Sequence, residues 1–179
     1  MKLIQNQTAP ALRVVDVNGK IIDLQSLRGQ KVYLSFERNA GCPVCNLRTH
    51  DLLNHASLFR DNQVVVAMVY ESPVARMKEY LGDKTYPFHF ISDPDNMLYN
   101  TYGVERSLLK MMRSLGNGLL DKVKRGKKLF EKEFKQDGNA TRIPAEFIID
   151  EAGKIKMAHY GKFVGDHVPL ETLKQIITR

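Results

Sequence analysis

The chain has 179 residues, 43% of them hydrophobic, two cysteines and a formal net charge of +7. This length supports one sizeable core without disulfide staples, so a cysteine-stapled scaffold is excluded, and the longest apolar run, Val64–Tyr70, is far too short to cross a bilayer. Ten Lys/Arg against three acids between Arg106 and Lys135 match the whole net charge, so one segment supplies the basic character.

In chain order, Leu12–Val17, Asn18-Gly19 and Lys20–Leu24 predict a β-hairpin, with Asn-Gly as its two-residue turn. Ser26–Gly29 leads into Lys31–Phe36, a short buried strand rich in β-formers. Then comes Glu37-Arg38-Asn39-Ala40-Gly41-Cys42-Pro43-Val44-Cys45, which places both cysteines, spaced C-x-x-C, at the start of a helix that runs to about Arg60. Pro43 suits the first helical turn because it lacks the N–H that would be orphaned there. The remaining free N–H groups and the helix dipole stabilise a thiolate, the species that attacks disulfides and peroxides. This context marks a redox motif. Zinc needs four ligands, and neither a second cysteine pair nor a matching histidine spacing is present, so no metal and no cofactor are expected. His50 and His55 fall on or near the redox helix; with Glu37 and Arg38 they are candidate tuners of a thiolate.

Gln63–Tyr70 predicts a second strand covered on both faces. Ser72-Pro73 opens a helix to Leu81, Phe88–Ile91 a short strand, and Asp93-Pro94 a helix to about Tyr102. Residues 104–140 interrupt the rhythm with lysines among Leu108, Leu109, Met111, Met112, Leu115, Leu119, Leu120, Val123, Leu129, Phe130 and Phe134. They read as a basic insertion of one or two amphipathic helices. Ile143–Asp150, the Glu-Ala-Gly turn and Lys154–Tyr160 form a second hairpin, and Leu170–Ile177 a closing helix. Asp166-His167 falls in the loop before it, with no assigned role. The expectation is a single α/β domain over 1–179, a mixed sheet flanked by helices.

These pieces resemble the thioredoxin-like superfamily and, within it, the alkyl hydroperoxide reductase and thiol-specific antioxidant branch related to peroxiredoxins. The resemblance rests on Ala9-Pro10 with Asn18-Gly19-Lys20, Leu24–Phe36 and Cys42-Pro43-Val44-Cys45. Ser92-Asp93-Pro94-Asp95 with Tyr102-Gly103-Val104, and Pro144–Gly153, complete it. It implies a thioredoxin-like fold. Set against the peroxiredoxin motif P-x-x-x-T-x-x-C ending at Cys45, the chain has Arg38 for the proline and Cys42 for the threonine. Pro144 stands where peroxiredoxins carry an arginine, and Arg142 lies two residues earlier. Both changes go the thioredoxin way, which implies a cis-proline at Pro144 and an exposed backbone edge at Ile143 for docking a substrate peptide.

The resulting expectation is a thiol–disulfide redox enzyme in which the more exposed Cys42 attacks and Cys45 resolves, with a dithiol reductant recycling the pair. The alternative is a thiol peroxidase, in which Cys45 attacks a hydroperoxide, Cys42 condenses with the sulfenate, and Arg142 or Arg38 helps hold the peroxide. A third, non-enzymatic reading uses the basic insertion to bind an anionic partner. The N-terminus shows no apolar export segment, so a cytoplasmic setting is expected, with neither a membrane nor a nucleic-acid partner expected and a dimer compatible with the insertion.

Overall fold

A computed structural model describes residues 1–82, 84–129 and 137–179. Phe130 and Phe134, assigned above to the insertion, lie outside the described residues. β1 (Arg13–Val15) and β2 (Ile21–Asp23) pair as the N-terminal hairpin. The turn is longer than the two residues expected. Asp16 N–H donates to the Lys20 carbonyl, while the Asp16 carboxylate accepts the N–H groups of Asn18 and Lys20. Gly19, at φ +86°, takes the left-handed position that closes such a three-residue loop.

The main sheet contains β3 (Lys31–Phe36), β4 (Val64–Tyr70), β5 (His89–Ser92), β6 (Ala145–Ile149) and β7 (Ile155–Tyr160), in the order β5-β4-β3-β6-β7. β3, β4 and β5 run parallel, while β6 and β7 are antiparallel, giving the mixed sheet expected for a thioredoxin-like fold. Side chains alternate between the two faces. Leu34, Phe36, Ala145 and Phe147 enter one core with Tyr99 and Tyr102, where Phe36 and Phe147 meet edge-to-face at 5.9 Å. Tyr33 and Ile148 enter the other, against Cys42, Cys45 and Leu52. The alternation therefore puts Ser35 and Glu146 on the second face as well, and both are fully buried.

The helices are α1 (Pro43–Asn54), α2 (Ala56–Asp61), α3 (Val74–Leu81), α4 (Met97–Thr101), α5 (Leu108–Arg113), α6 (Leu119–Lys127) and α7 (Leu170–Ile177). The single redox helix expected to Arg60 breaks at His55, whose backbone (φ −114°, ψ 23°) leaves the helical region. Helix α4 starts later than Asp93-Pro94 suggested. Asp93 nevertheless caps it, accepting the N–H groups of Met97, Leu98 and Tyr99. Between α4 and β6 the chain forms α5, a 3-10 turn over Ser114–Asn117, and α6, which packs on α1.

Candidate active site

Cys42 is the N-cap of α1, and its Sγ accepts the Cys45 N–H at 3.4 Å. The helix therefore presents one of its orphan donors to the first sulfur and a second thiol one turn on. Arg38 N–H donates to Cys45 Sγ at 3.4 Å, so both sulfurs are held from backbone donors. The preceding loop is fastened by Ser72, whose hydroxyl accepts the Ala40 N–H at 2.7 Å and donates to Asp137. Asn46 ties the helix start back to the Ala40 and Cys42 carbonyls. Pro43 occupies the first helical position, as expected.

The two sulfurs are electrostatically unlike. Burial pushes the Cys42 thiol up, but the Cys45 S–H hydrogen bond, the Arg38 charge and the Cys45 N–H outweigh it, bringing it down to about 7. Burial raises Cys45 well above the ordinary thiol range. Donating its proton to Cys42, the charge on that sulfur and the Glu37 carboxylate push the same way. The arrangement favours ionisation at Cys42 over Cys45. Accordingly, iodoacetamide labelling of Cys42 in a Cys45→Ser protein is expected to rise between pH 6 and 8. Because serine retains only part of the sulfur's hydrogen bond, its midpoint should lie between about 7 and an ordinary thiol value near 8.5. A midpoint at or above 8.5 would remove the assignment.

Three expectations need correction. Cys42 is 1% exposed and Cys45 2%, so the first cysteine is as covered as the second. No cis peptide bond occurs among the described residues, so Pro144 follows a trans bond. The backbone edge at Ile143 is also occupied: Ile143 N–H donates to the Glu105 carbonyl at 3.2 Å, and Ser107 N–H to Thr141 at 2.9 Å. Ile143 is itself buried in the same apolar cluster as Cys42, Val44 and Cys45. The physical reason is the insertion, whose start at 105–107 pairs with 141–143 in place of an incoming peptide.

Arg142 is spent elsewhere. Its guanidinium donates to Glu71 at 2.7 Å, to the Val104 carbonyl and to Asn96, and stacks over Tyr99 at 4.3 Å. Arg38 is the cation that acts on the thiols, and its Nε is buried with no hydrogen-bond partner among the described residues. His50 bonds to Asn54, and His55 to the Asp51 carbonyl.

Beneath the sulfurs lies a network of which the sequence named only Glu37, as a candidate tuner. Glu37, fully buried, receives Ser35 Oγ at 2.8 Å and faces His167 Nε2 at 3.2 Å. Burial raises its carboxyl, but the charge and hydrogen bond of His167, then Ser35 and Arg48, hold it below the ordinary range. Glu146 receives Tyr33 Oη at 2.6 Å, Arg48 Nε at 2.9 Å and the Val168 N–H. Glu37, Glu146 and His167 offer ligand atoms within 4.8 Å of one another. Because Arg48, Tyr33, Ser35 and Val168 already donate to these carboxylates, the cluster is a paired charge network rather than a metal centre. The available signal was a charged residue at the inward positions of otherwise apolar strands, Glu37 after β3 and Glu146 within β6.

A sequence model of the AhpC/TSA family matches residues 5–158. The chain is 26% identical over 168 residues to "Putative peroxiredoxin bcp" of Coxiella burnetii, covering 94% of this chain and 95% of that protein. Among solved structures it is similar to a "putative Thiol:disulfide interchange protein DsbE" from Chlorobium tepidum, with a TM-score of 0.65 and 19% identity. That match covers 99% of this chain and 97% of the other. It is also similar to peroxidoxin BcpB from Mycobacterium tuberculosis, with a TM-score of 0.62, 17% identity, and 97% and 94% coverage. At these identities the structures share the fold.

Proposed function

This chain belongs to the AhpC/TSA family of thiol-dependent redox proteins, and from that premise we propose that it is a thiol–disulfide oxidoreductase in which Cys42 attacks and Cys45 resolves. The observation that carries the reading is the asymmetry of the pair, with Cys42 lowered to about 7 and Cys45 raised.

The asymmetry also sets the order of events. Cys42 thiolate attacks one sulfur of a substrate disulfide; an S–S bond forms, the substrate's own S–S bond breaks, and one thiolate leaves. Once Cys42 is in the mixed disulfide, its sulfur carries no charge and accepts no S–H bond of the same strength. Two of the influences that raise Cys45 are then gone, while the Arg38 charge remains. Cys45 passes its proton to the departing thiolate and attacks Cys42 Sγ. The Cys42–Cys45 disulfide forms, the second substrate thiol is released, and a dithiol reductant restores the pair. A dithiol cycle of this kind suits a reducing compartment, and a cytoplasmic setting is part of the proposal. Among the described residues no helix is long and apolar enough to cross a membrane.

The family match favours a second reading, peroxide reduction beginning at Cys45. Against it stand the raised Cys45 thiol and the commitment of Arg142 to Glu71. Stopped-flow oxidation of the reduced protein separates the two. Fast reaction with a small disulfide, with peroxide no faster than free thiol, is the expected result. Fast peroxide reduction that survives Cys42→Ser would replace this reading with the second.

A further inference from the structure

We infer that the segment 105–127 is a size filter that reserves the thiol pair for low-molecular-weight disulfides and excludes disulfides carried on proteins. The inference rests on the exchange reading above and names its substrate class.

Cys42 shares its apolar cluster with Val44, Ile143 and Val164, which lie on its own helix start, in the 141–143 stretch and in the loop at 161–165. The segment fastens onto all three. Ser107 and Glu105 hold 141–143 through main-chain hydrogen bonds. Lys110 Nζ donates to the Gly161 carbonyl at 2.9 Å, Ser114 Oγ accepts the Val164 N–H at 2.8 Å, and Lys122 Nζ donates to the Gly165 carbonyl at 2.7 Å. Lys122 also stands over the Phe163 ring at 5.6 Å. At Gly126, α6 rests directly on the redox motif: a Cβ there would collide with the Pro43 carbonyl, so glycine is required for the helix to sit so close.

A protein substrate would have to bring polypeptide beside Cys42. Extended chain docks by pairing with a free backbone edge at a strand spacing of about 4.8 Å. That edge is filled by the chain's own residues 105–107, so docking requires several of these bonds to break together. A small disulfide needs far less. Beside the motif, Val44, Arg48, Lys122, Gly165 and His167 wall a cleft of about 340 Å³. Neither cysteine lines this cleft, so a small disulfide needs a local opening beside Val44 to meet a sulfur, whereas release of the whole segment is a larger opening of higher free energy.

The test uses the full chain, reduced, with oxidised glutathione and insulin as probes, each rate normalised to that of the same disulfide with dithiothreitol. Wild type is expected to prefer oxidised glutathione by about a hundredfold or more, equivalent to two tenfold steps in barrier. A Lys110→Ala/Ser114→Ala protein, checked for folding by circular dichroism, should gain about tenfold toward insulin and stay within about twofold toward glutathione. Gly126→Val, which forces α6 off Pro43, should act in the same direction. Equal normalised wild-type rates, or variants that leave the insulin-to-glutathione ratio unchanged, would overturn the inference while leaving the exchange reading standing. A wild-type protein that oxidises with neither disulfide would overturn both. The wild-type ratio needs no variant, so a misfolded variant leaves that decision intact.

Discussion

Cys42→Ser protein is expected to lose disulfide exchange by about three orders of magnitude or more, because removing a nucleophile removes the pathway rather than weakening it. Cys45→Ser should behave differently. Its Cys42 still attacks, but nothing resolves the product, so a Cys42 mixed disulfide accumulates after one turnover. Mass spectrometry of the non-reduced protein after mixing with a small disulfide would show the adduct on Cys45→Ser and none on Cys42→Ser. The roles follow from the surroundings: Cys42 Sγ takes the Cys45 N–H at a helix start, while burial, the Cys42 sulfur and the Glu37 charge hold the Cys45 thiol up. An adduct confined to Cys42→Ser would reverse the two roles. Loss of chemistry in both, with no adduct in either, would point to peroxide as the oxidant to test next.

The motif was legible because its chemistry is local. Pro43 at the first helical position and a sulfur at the N-cap are neighbours in sequence, so helix-start rules suffice to place them. The strands were legible for the same reason, as short apolar runs with turn residues between them. The docking edge was not. Ile143 looks like an open edge until residues 105–107 are laid against 141–143, and that pairing joins segments about 36 residues apart. The close seat of α6 on the redox motif has the same origin, since only packing reveals that Gly126 sits against Pro43. His167 was passed over because its role depends on Glu37, 130 residues earlier. In each case the missing information was a contact between distant segments, which hydrophobic period and turn chemistry do not encode.

The largest stability effect is expected at Arg48. It is 6% exposed and donates to the Glu146 carboxylate, which is completely buried, while Tyr33 and the Val168 N–H complete the shell. Arg48→Ala strands Glu146 without its cation, and breaking a buried pair from one side costs about 3–5 kcal/mol. For a chain of this size that lowers the melting temperature by about 6–20 °C, readable by calorimetry. The pair as a whole contributes much less than this, because taking two charges out of water offsets most of their attraction. Arg48→Met combined with Glu146→Leu should therefore recover most of the loss. Arg48 also lies among the cations that hold the Glu37 carboxyl down. Its removal leaves more uncompensated negative charge beneath the sulfurs, which disfavours a thiolate, so the Cys42 labelling midpoint should move upward in Arg48→Ala. If the double replacement melts as low as the single one, Arg48 is held for packing rather than for charge, and the network beneath the thiols needs a different account.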